Sequence, residues 1–183
     1  MAQNKEKIIL GLDPGTSIMG YGLIKVSGNK VDLMQYGVIH LTKYVGHELK
    51  LKKIFERVSS IIEEYSPDDV ALEAPFFGKN IQSMLKLGRA QGVAMAAALS
   101  REIPITEYAP KKVKQSVTGN GNASKEQVAA MLKSLMNFKE TPKLLDATDA
   151  LAVALTHHYQ GGKTQSSSKS WKAFINENPK RVK

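Results

Sequence analysis

The chain has 183 residues, of which 42% are hydrophobic and 23% charged, and it contains no cysteine. This composition is typical of one soluble globular domain, and it excludes a disulfide scaffold, a thiol nucleophile and a cysteine-based zinc site. The net charge of +9 favours a polyanionic partner, with nucleic acid ahead of a membrane surface. No apolar run approaches the ~18 residues of a membrane span, and the polar N-terminus has no signal-peptide core. We therefore expect a cytoplasmic protein with no membrane partner.

Residues 161–183 differ in composition from the rest of the chain. They are rich in Ser and Lys, and six basic residues against the single acid Glu177 give them +5 of the net charge. Such a segment has too little apolar surface to fold alone. We expect a folded domain over 1–160 and a disordered basic tail over 161–183.

The first 108 residues alternate between strand and helix patterns. Turn residues at 27–30 join two of three N-terminal strands into a hairpin, and the apolar period then changes to that of a helix. The predicted elements are strands over 8–13, 20–26 and 31–40, a helix over 47–65, a strand over 70–73, a helix over about 80–101 and a strand over 103–108.

Three further helices are predicted, each with a typical start signal. The signals are Pro110 in the first turn, a capping box of Ser124 and Gln127, and Pro142 at the first helical position. The order βββαβαβααα predicts an α/β domain with a mixed five-stranded sheet, an antiparallel meander followed by parallel strands, flanked by helices.

A stripe of small residues runs along the predicted helix over 80–101. Gly88, Gly92 and Ala96 recur every four residues, although glycine in a helix interior is unfavourable by roughly 1 kcal/mol. The stripe indicates close packing against the sheet or against a partner, and we regard it as a candidate dimer contact.

Four acidic residues lie within otherwise apolar elements. Asp13 and Glu73 end two strands, and Asp146 and Asp149 lie three residues apart on one face of the last helix. Buried acids must be paired or bind a metal, and no equal set of basic residues stands in the same strands. Each acid alone has an ordinary structural explanation. Together they predict an all-oxygen site for Mg²⁺ or Mn²⁺, in which two ions activate a water that attacks a phosphodiester.

Several short motifs follow one another in this chain. They are GLDPGT at 11–16 with GYG at 20–22, Glu73 with Phe76, KLG at 86–88 and GVA at 92–94, YA at 108–109 with VKQ at 113–115, and DATDALA at 146–152 with TH at 156–157. In this order they resemble the motifs of Holliday-junction resolvases of the RuvC type. The resemblance covers roughly residues 8–158 and leaves only the tail outside.

The resemblance implies a ribonuclease-H-like nuclease domain over 1–160. It implies a homodimer that resolves four-way DNA junctions by paired symmetric nicks in opposing strands, in recombination and DNA repair. It implies Mg²⁺-dependent chemistry at Asp13, Glu73, Asp146 and Asp149, all four of which are present. A branch-migration motor complex is the further partner that it implies.

Five residues are candidate DNA contacts. Phe76 follows Glu73 closely and is able to stack on an unpaired base, although an aromatic ring there could equally fill the core. Lys111, Lys112, Lys114 and Lys125 flank a glycine-rich turn, where lysines neutralise phosphates or simply form a solvated face. The resemblance favours Phe76, Lys114 and Lys125.

The residues alone suggest three other functions, which differ in how well the chain fits them. Another ribonuclease-H-like nuclease, acting on RNA–DNA hybrids or other branched DNA, would use the same carboxylates. A junction-binding module without catalysis is disfavoured by the four intact acids. The GLDPGT motif also resembles the phosphate-binding turn of actin-like sugar kinases and chaperone ATPases, but those proteins need two such lobes, and this chain has no second D-x-G motif.

Overall fold

A computed structural model describes residues 6–75, 80–136 and 145–161 of the chain. Within these ranges five strands and five helices follow one another in the predicted order. They are β1 (Lys7–Asp13), β2 (Ile18–Ser27), β3 (Lys30–His40), α1 (His47–Tyr65), β4 (Asp69–Glu73), α2 (Ile81–Leu99), β5 (Ile105–Tyr108), α3 (Pro110–Thr118), α4 (Lys125–Met136) and α5 (Leu145–Tyr159).

The five strands form one mixed sheet in the order β3-β2-β1-β4-β5. β1, β2 and β3 pair antiparallel, and β1, β4 and β5 pair parallel. This confirms the predicted fold class, and the described element ends agree with the prediction within two residues. The predicted start of the last helix at Pro142 and almost all of the predicted tail lie outside the described residues.

The sheet separates two hydrophobic cores. Successive residues of β1 face opposite sides of the sheet, so Ile9 joins the core under α3, α4 and α5, whereas Leu10 and Leu12 join the core under α1 and α2. β4 repeats the pattern, with Ala71 on the α5 side and Leu72 on the α2 side. The residues that end β1 and β4 therefore belong to the α5 side.

α5 lies against β1 and β2 at backbone contact distance. A Cβ at Gly11 would lie 2.0 Å from the backbone oxygen of Ala150, and one at Gly20 would lie 2.0 Å from that of Asp146. Ten of the fifteen residues of α5 are buried. Glycines in the strands thus allow an alanine-rich helix to sit directly on the sheet.

Side chains from three elements hold the C-terminal end of α5. His157 is 1% exposed, and its Nε2 lies 3.2 Å from Asp69 Oδ2 on β4. The other ring nitrogen, Nδ1, shares a buried hydrogen bond of 2.9 Å with the Tyr108 hydroxyl. Lys7 forms an ion pair with the same Asp69.

The small-residue stripe of α2 faces solvent. Gly88, Gly92 and Ala96 are exposed, and a Cβ at either glycine would meet nothing within 4 Å in the described residues. The interpretation that the stripe packs against the sheet is therefore wrong, because Ala90, Ala94 and neighbouring alanines form the buried face instead. Packing of the stripe against a partner stays a prediction.

In the described part of the chain, no helix combines the length and the apolar character that a membrane span requires.

Substituting Gly20→Ala should displace the first turn of α5 and destabilise the protein by about 1–3 kcal/mol, the range typical of overpacking. The reason is the 2.0 Å approach of the added Cβ to Asp146 oxygen. Urea unfolding measures the change. Ser134→Ala, at an exposed residue of α4, is the control, because it also places an alanine in the protein and alanine is favoured at a solvent-facing helix position. Equal stability of the two variants would contradict the close approach.

Candidate active site

Strand register brings Asp13 and Glu73 side by side. β1 and β4 pair in parallel up to Leu12 opposite Leu72, so the next residues along the two strands are Asp13 and Glu73. Both belong to the α5 face of the sheet and lie at its carboxyl edge. The predicted convergence of these two acids therefore follows directly from the pairing.

The first turn of α5 carries the other two acids to the same edge. Gly20 is paired with Asp13, and the backbone of Asp146 lies against that glycine. Asp149 follows three residues later on the same helix face and lines a cleft together with Asp13 and Glu73.

Burial and mutual repulsion raise the pKa of Asp13 and make it a weak acid. Burial is the larger cause, and the negative charges of Glu73 and Asp149, with a smaller one from Asp146, add to it. The nearby Lys125 ammonium acts in the opposite direction. The result is a pKa of about 8 for Asp13 instead of 3.8. All four acids therefore lie close enough to affect one another.

The pKa values of Glu73 and Asp149 are raised as well. Burial and the charge of Asp149 raise the pKa of Glu73 to about 7, against the opposing charges of Lys125 and Lys114. Burial also raises the pKa of Asp149, although its hydrogen bond from Lys125 works against the rise. The site thus holds more negative charge than its own lysines neutralise.

Lys125, from the start of α4, is the direct counter-charge of the cluster. Its Nζ donates to Asp149 Oδ2 and forms an ion pair with it. Burial lowers the pKa of Lys125, but the hydrogen bond and charge of Asp149 outweigh this, so the pKa is raised overall. The capping box predicted at this helix start is confirmed, because the Ser124 N–H donates to Gln127 Oε1 at 2.8 Å and the Gln127 N–H donates to Ser124 Oγ at 3.3 Å.

Two clefts flank Asp13 and Glu73. The first, here called the lysine cleft, has a volume of about 80 Å³ and is also lined by Asp149, Lys114 and Lys125. Of the predicted DNA contacts, the lysine cleft therefore holds Lys114 and Lys125.

The other predicted DNA contacts lie apart from this cleft. Lys111 and Lys112 are exposed on α3 and do not line the lysine cleft. Phe76 lies outside the described residues.

The second cleft lies on the α2 side of the two acids and is here called the α2 cleft. It has a volume of about 150 Å³ and is lined by Pro14, Pro75, Leu87 and Gln91. Sequence analysis missed this cleft and Gln91. The available signal was a polar residue within the alanine-rich buried face of α2.

The donor chemistry of the four acids fits a hard divalent cation. Carboxylate oxygens are the ligands that Mg²⁺ and Mn²⁺ prefer, and a cation would relieve the repulsion that raises the pKa values of Asp13 and Glu73. In the described residues no three acid or histidine side chains are already grouped at metal-binding separation. Asp149 is instead paired with Lys125.

Comparison with known proteins identifies the family. The family described as crossover junction endodeoxyribonuclease RuvC matches residues 9–157. The chain belongs to the RuvC family. The RuvC protein of Cytophaga hutchinsonii is 65% identical over 178 residues, which are 97% of this chain and 89% of that relative. RuvC of Bacteroides fragilis is 60% identical over 98% of this chain and 97% of its own length.

Solved structures agree with the RuvC assignment. One described as T. thermophilus RuvC in complex with Holliday junction substrate superposes with a TM-score of 0.80 and 33% identity, over 85% of this chain and 94% of that one. The yeast mitochondrial Holliday junction resolvase Ydc2, at 14% identity and a TM-score of 0.59, is similar in fold alone. The ribonuclease-H-like fold is thereby confirmed, and the RuvC family is one of metal-dependent nucleases.

Asp13→Asn should stabilise the metal-free protein at pH 8. The pKa of Asp13 is raised on folding, so its contribution to stability is complete below pH 3.8 and is lost as the pH rises through about 8. One pKa unit corresponds to about 1.4 kcal/mol, and we expect at least that gain at pH 8 and almost none at pH 4. Denaturant unfolding in EDTA measures the free energy of unfolding of both proteins at pH 8 and at pH 4. The control Asp32→Asn, at an exposed residue of β3, should lack this pH dependence; equal stability of Asp13→Asn and wild type at pH 8 would refute the explanation.

Proposed function

We propose that this chain is a structure-selective endonuclease that resolves four-way DNA junctions by paired symmetric nicks in opposing strands, in recombination and DNA repair. The observation that carries the proposal is the meeting of Asp13, Glu73 and the first turn of α5 at one sheet edge beside the lysine cleft. Membership of the RuvC family supports it, as does the relative from T. thermophilus described in complex with Holliday junction substrate.

Asp13, Glu73, Asp146 and Asp149 are proposed as the catalytic and metal-binding residues. Mg²⁺ held there, with Mn²⁺ as a substitute and two ions per site, would supply water activation and stabilisation of the leaving oxygen. The four carboxylates come from rigid strands and a buried helix, so they fix the position of the reacting phosphate. Their mutual repulsion supports this role, because a cation held among them would relieve it.

The lysines are proposed to bind DNA phosphates. Lys114 and Lys125 lie at the carboxylates, where an ammonium group holds the scissile phosphate against the repulsion of the acids. Lys125 is paired with Asp149, and it would contact a phosphate oxygen beside that carboxylate. Lys111 and Lys112 would contact phosphates farther from the cut, and Phe76 would stack on an unpaired base.

We propose a homodimer that associates through α2. The exposed face of this helix carries the small-residue stripe between Leu85 and Leu99, which are 51% and 58% exposed. Large exposed apolar residues in a row along one helix are typical of an interaction surface. Two copies related by a two-fold axis would match the symmetry of the junction, because each active site cuts one strand.

The proposal also includes a cellular location and a partner complex. A junction resolvase acts where DNA recombines, which for a bacterial protein is the cytoplasm. A branch-migration motor complex would deliver the junction to the dimer. Both inferences rest on the family and on the proposed substrate.

Cleavage of a synthetic four-way junction in Mg²⁺ tests the catalytic assignment. We expect symmetric nicks in opposing strands that leave a 5′-phosphate and a 3′-hydroxyl. Asp13→Asn and Asp146→Asn should lower the rate at least about 100-fold, as does removal of a group that stabilises transition-state charge. Junction binding should persist in both variants.

Asp32→Asn serves as the control for charge removal and should cut like the wild type. Linear duplex and an RNA–DNA hybrid are the control substrates. Cutting of the hybrid but not the junction would assign the protein to another ribonuclease-H-like activity, and tight binding without any cutting would leave a junction-binding module.

Leu85→Glu tests the dimer. A charge within an apolar contact should weaken the dimer about 30-fold or more, which corresponds to ~2 kcal/mol. Sedimentation measures the dissociation constant, and uncoupled single-strand nicks should replace paired ones. Leu135→Glu on α4 is the matched control, because Leu135 is similarly exposed at 44%. An unchanged dimer in Leu85→Glu would exclude this face.

A further inference from the structure

The turn between α3 and α4 joins the two lysines of the lysine cleft. Lys114 lies within α3, and Lys125 is the first residue of α4. α3 ends at Gly119, whose φ of 76° lies in the left-handed region that turns the chain out of a helix. The geometry of residues 119–124 therefore decides where α4 begins relative to α3.

The backbone N–H groups of this turn are already bound within the protein. From residue 119 to residue 124, each N–H group donates to an oxygen of residues 115–127. The N–H groups that bind phosphates in glycine-rich loops are, by contrast, left free for the ligand. A backbone cradle for phosphate is therefore not available in this turn, which instead has the hydrogen bonds of a rigid connection.

Gln115 uses both ends of its side-chain amide on this turn. Its Nε2 donates to the Gly119 carbonyl oxygen at 2.6 Å, and its Oε1 accepts from the Gly121 N–H at 2.9 Å. Because a carbonyl only accepts and an N–H only donates, the amide has one orientation here. One side chain thus fixes two glycines, whose backbones would otherwise have the greatest conformational freedom.

A second side chain of α3 packs against the same turn. A Cβ at Gly121 would lie 2.8 Å from Lys111 Cγ, so the aliphatic part of Lys111 lies directly against this glycine. Lys111 and Gln115 are four residues apart on α3 and therefore share one face of the helix. The turn is consequently held against that face by a packing contact and by the two hydrogen bonds of Gln115.

The far end of the turn leads directly to the ion pair at the acids. The capping box of Ser124 and Gln127 starts α4, and Lys125 Nζ donates to Asp149 Oδ2. Because a misplacement of about 1 Å in a catalytic site costs up to about 100-fold in rate, the position at which α4 starts matters for the ammonium group of Lys125.

We propose that Gln115 is a positioning residue for the junction cleavage proposed above, on which this inference rests. By clamping residues 119–121, Gln115 fixes the start of α4 and places the Lys125 ammonium group beside the acids. Gln115 is itself exposed and does not line the lysine cleft. Its effect on the reaction therefore passes through Lys125.

Single-turnover cleavage of a synthetic four-way junction in Mg²⁺, with protein in saturating excess, tests this role. Gln115→Leu, of similar size, removes both hydrogen bonds and should lower the rate about 3- to 10-fold, which is the range of one hydrogen bond. Junction affinity measured in EDTA should stay within about twofold, because it rests on many phosphate contacts. Urea unfolding should show that the variant is folded under the assay conditions.

Double variants separate positioning of Lys125 from a general effect on α3. In the Lys125→Met background, Gln115→Leu should lower the rate by less than about twofold, because the group that it positions is gone. In the Lys114→Met background the full loss of about 3- to 10-fold should remain, since Lys114 precedes the clamped turn. Gln160→Leu, at the end of α5 remote from the acids, is the control and should cut like the wild type.

Each other outcome overturns the inference. An unchanged rate in Gln115→Leu would show that the clamp has no effect on the reaction. An equal loss in the Lys125→Met and Lys114→Met backgrounds, or an unfolded Gln115→Leu protein, would assign Gln115 to folding alone. Wild type that cuts no junction would instead contradict the proposed function itself, and this inference with it.

Discussion

The contact between α5 and the first two strands is the constraint on which the rest of the site depends. Gly11 and Gly20 leave no side chain between sheet and helix, so the backbone oxygens of Ala150 and Asp146 take the space that a Cβ would fill. A helix at ordinary distance from a sheet is separated from it by a layer of side chains. Direct contact instead brings the carboxylates of the first turn of α5 to the carboxyl edge of β1 and β4, where the strand acids lie.

The contacts at the two ends of α5 fit together because α5 and β4 span nearly the same distance between them. His157 follows Asp149 by eight residues, about 12 Å along a helix, and Asp69 precedes Glu73 by four residues, about 13 Å along a strand. The buried contact of His157 with Asp69 and Tyr108 therefore holds one end of the helix while Asp149 stands near Glu73 at the other. Burial lowers the pKa of His157 against the opposing influence of Asp69, which favours the neutral ring in this contact.

Electrostatics divides the surroundings of the acids into two parts. On the α5 side, Lys125 and Lys114 oppose the repulsion among buried carboxylates; on the α2 side, the described lining offers apolar groups and the amide of Gln91. The excess negative charge between the two clefts is where a divalent cation would be most stabilised.

The sequence by itself determined the elements, the sheet and the identity of the four acids. Strand and helix periodicity, the Ser124–Gln127 capping box and strands ending on Asp13 and Glu73 are local patterns, and the spaced motifs carry the family. Only the tertiary structure decided which faces meet: that the glycine stripe of α2 faces solvent, that Lys125 pairs with Asp149, and that Gln91 is tethered to Glu107. The physical reason is that these contacts join residues from different elements, and their partners are set by the packing of helices on the sheet, which local periodicity does not encode.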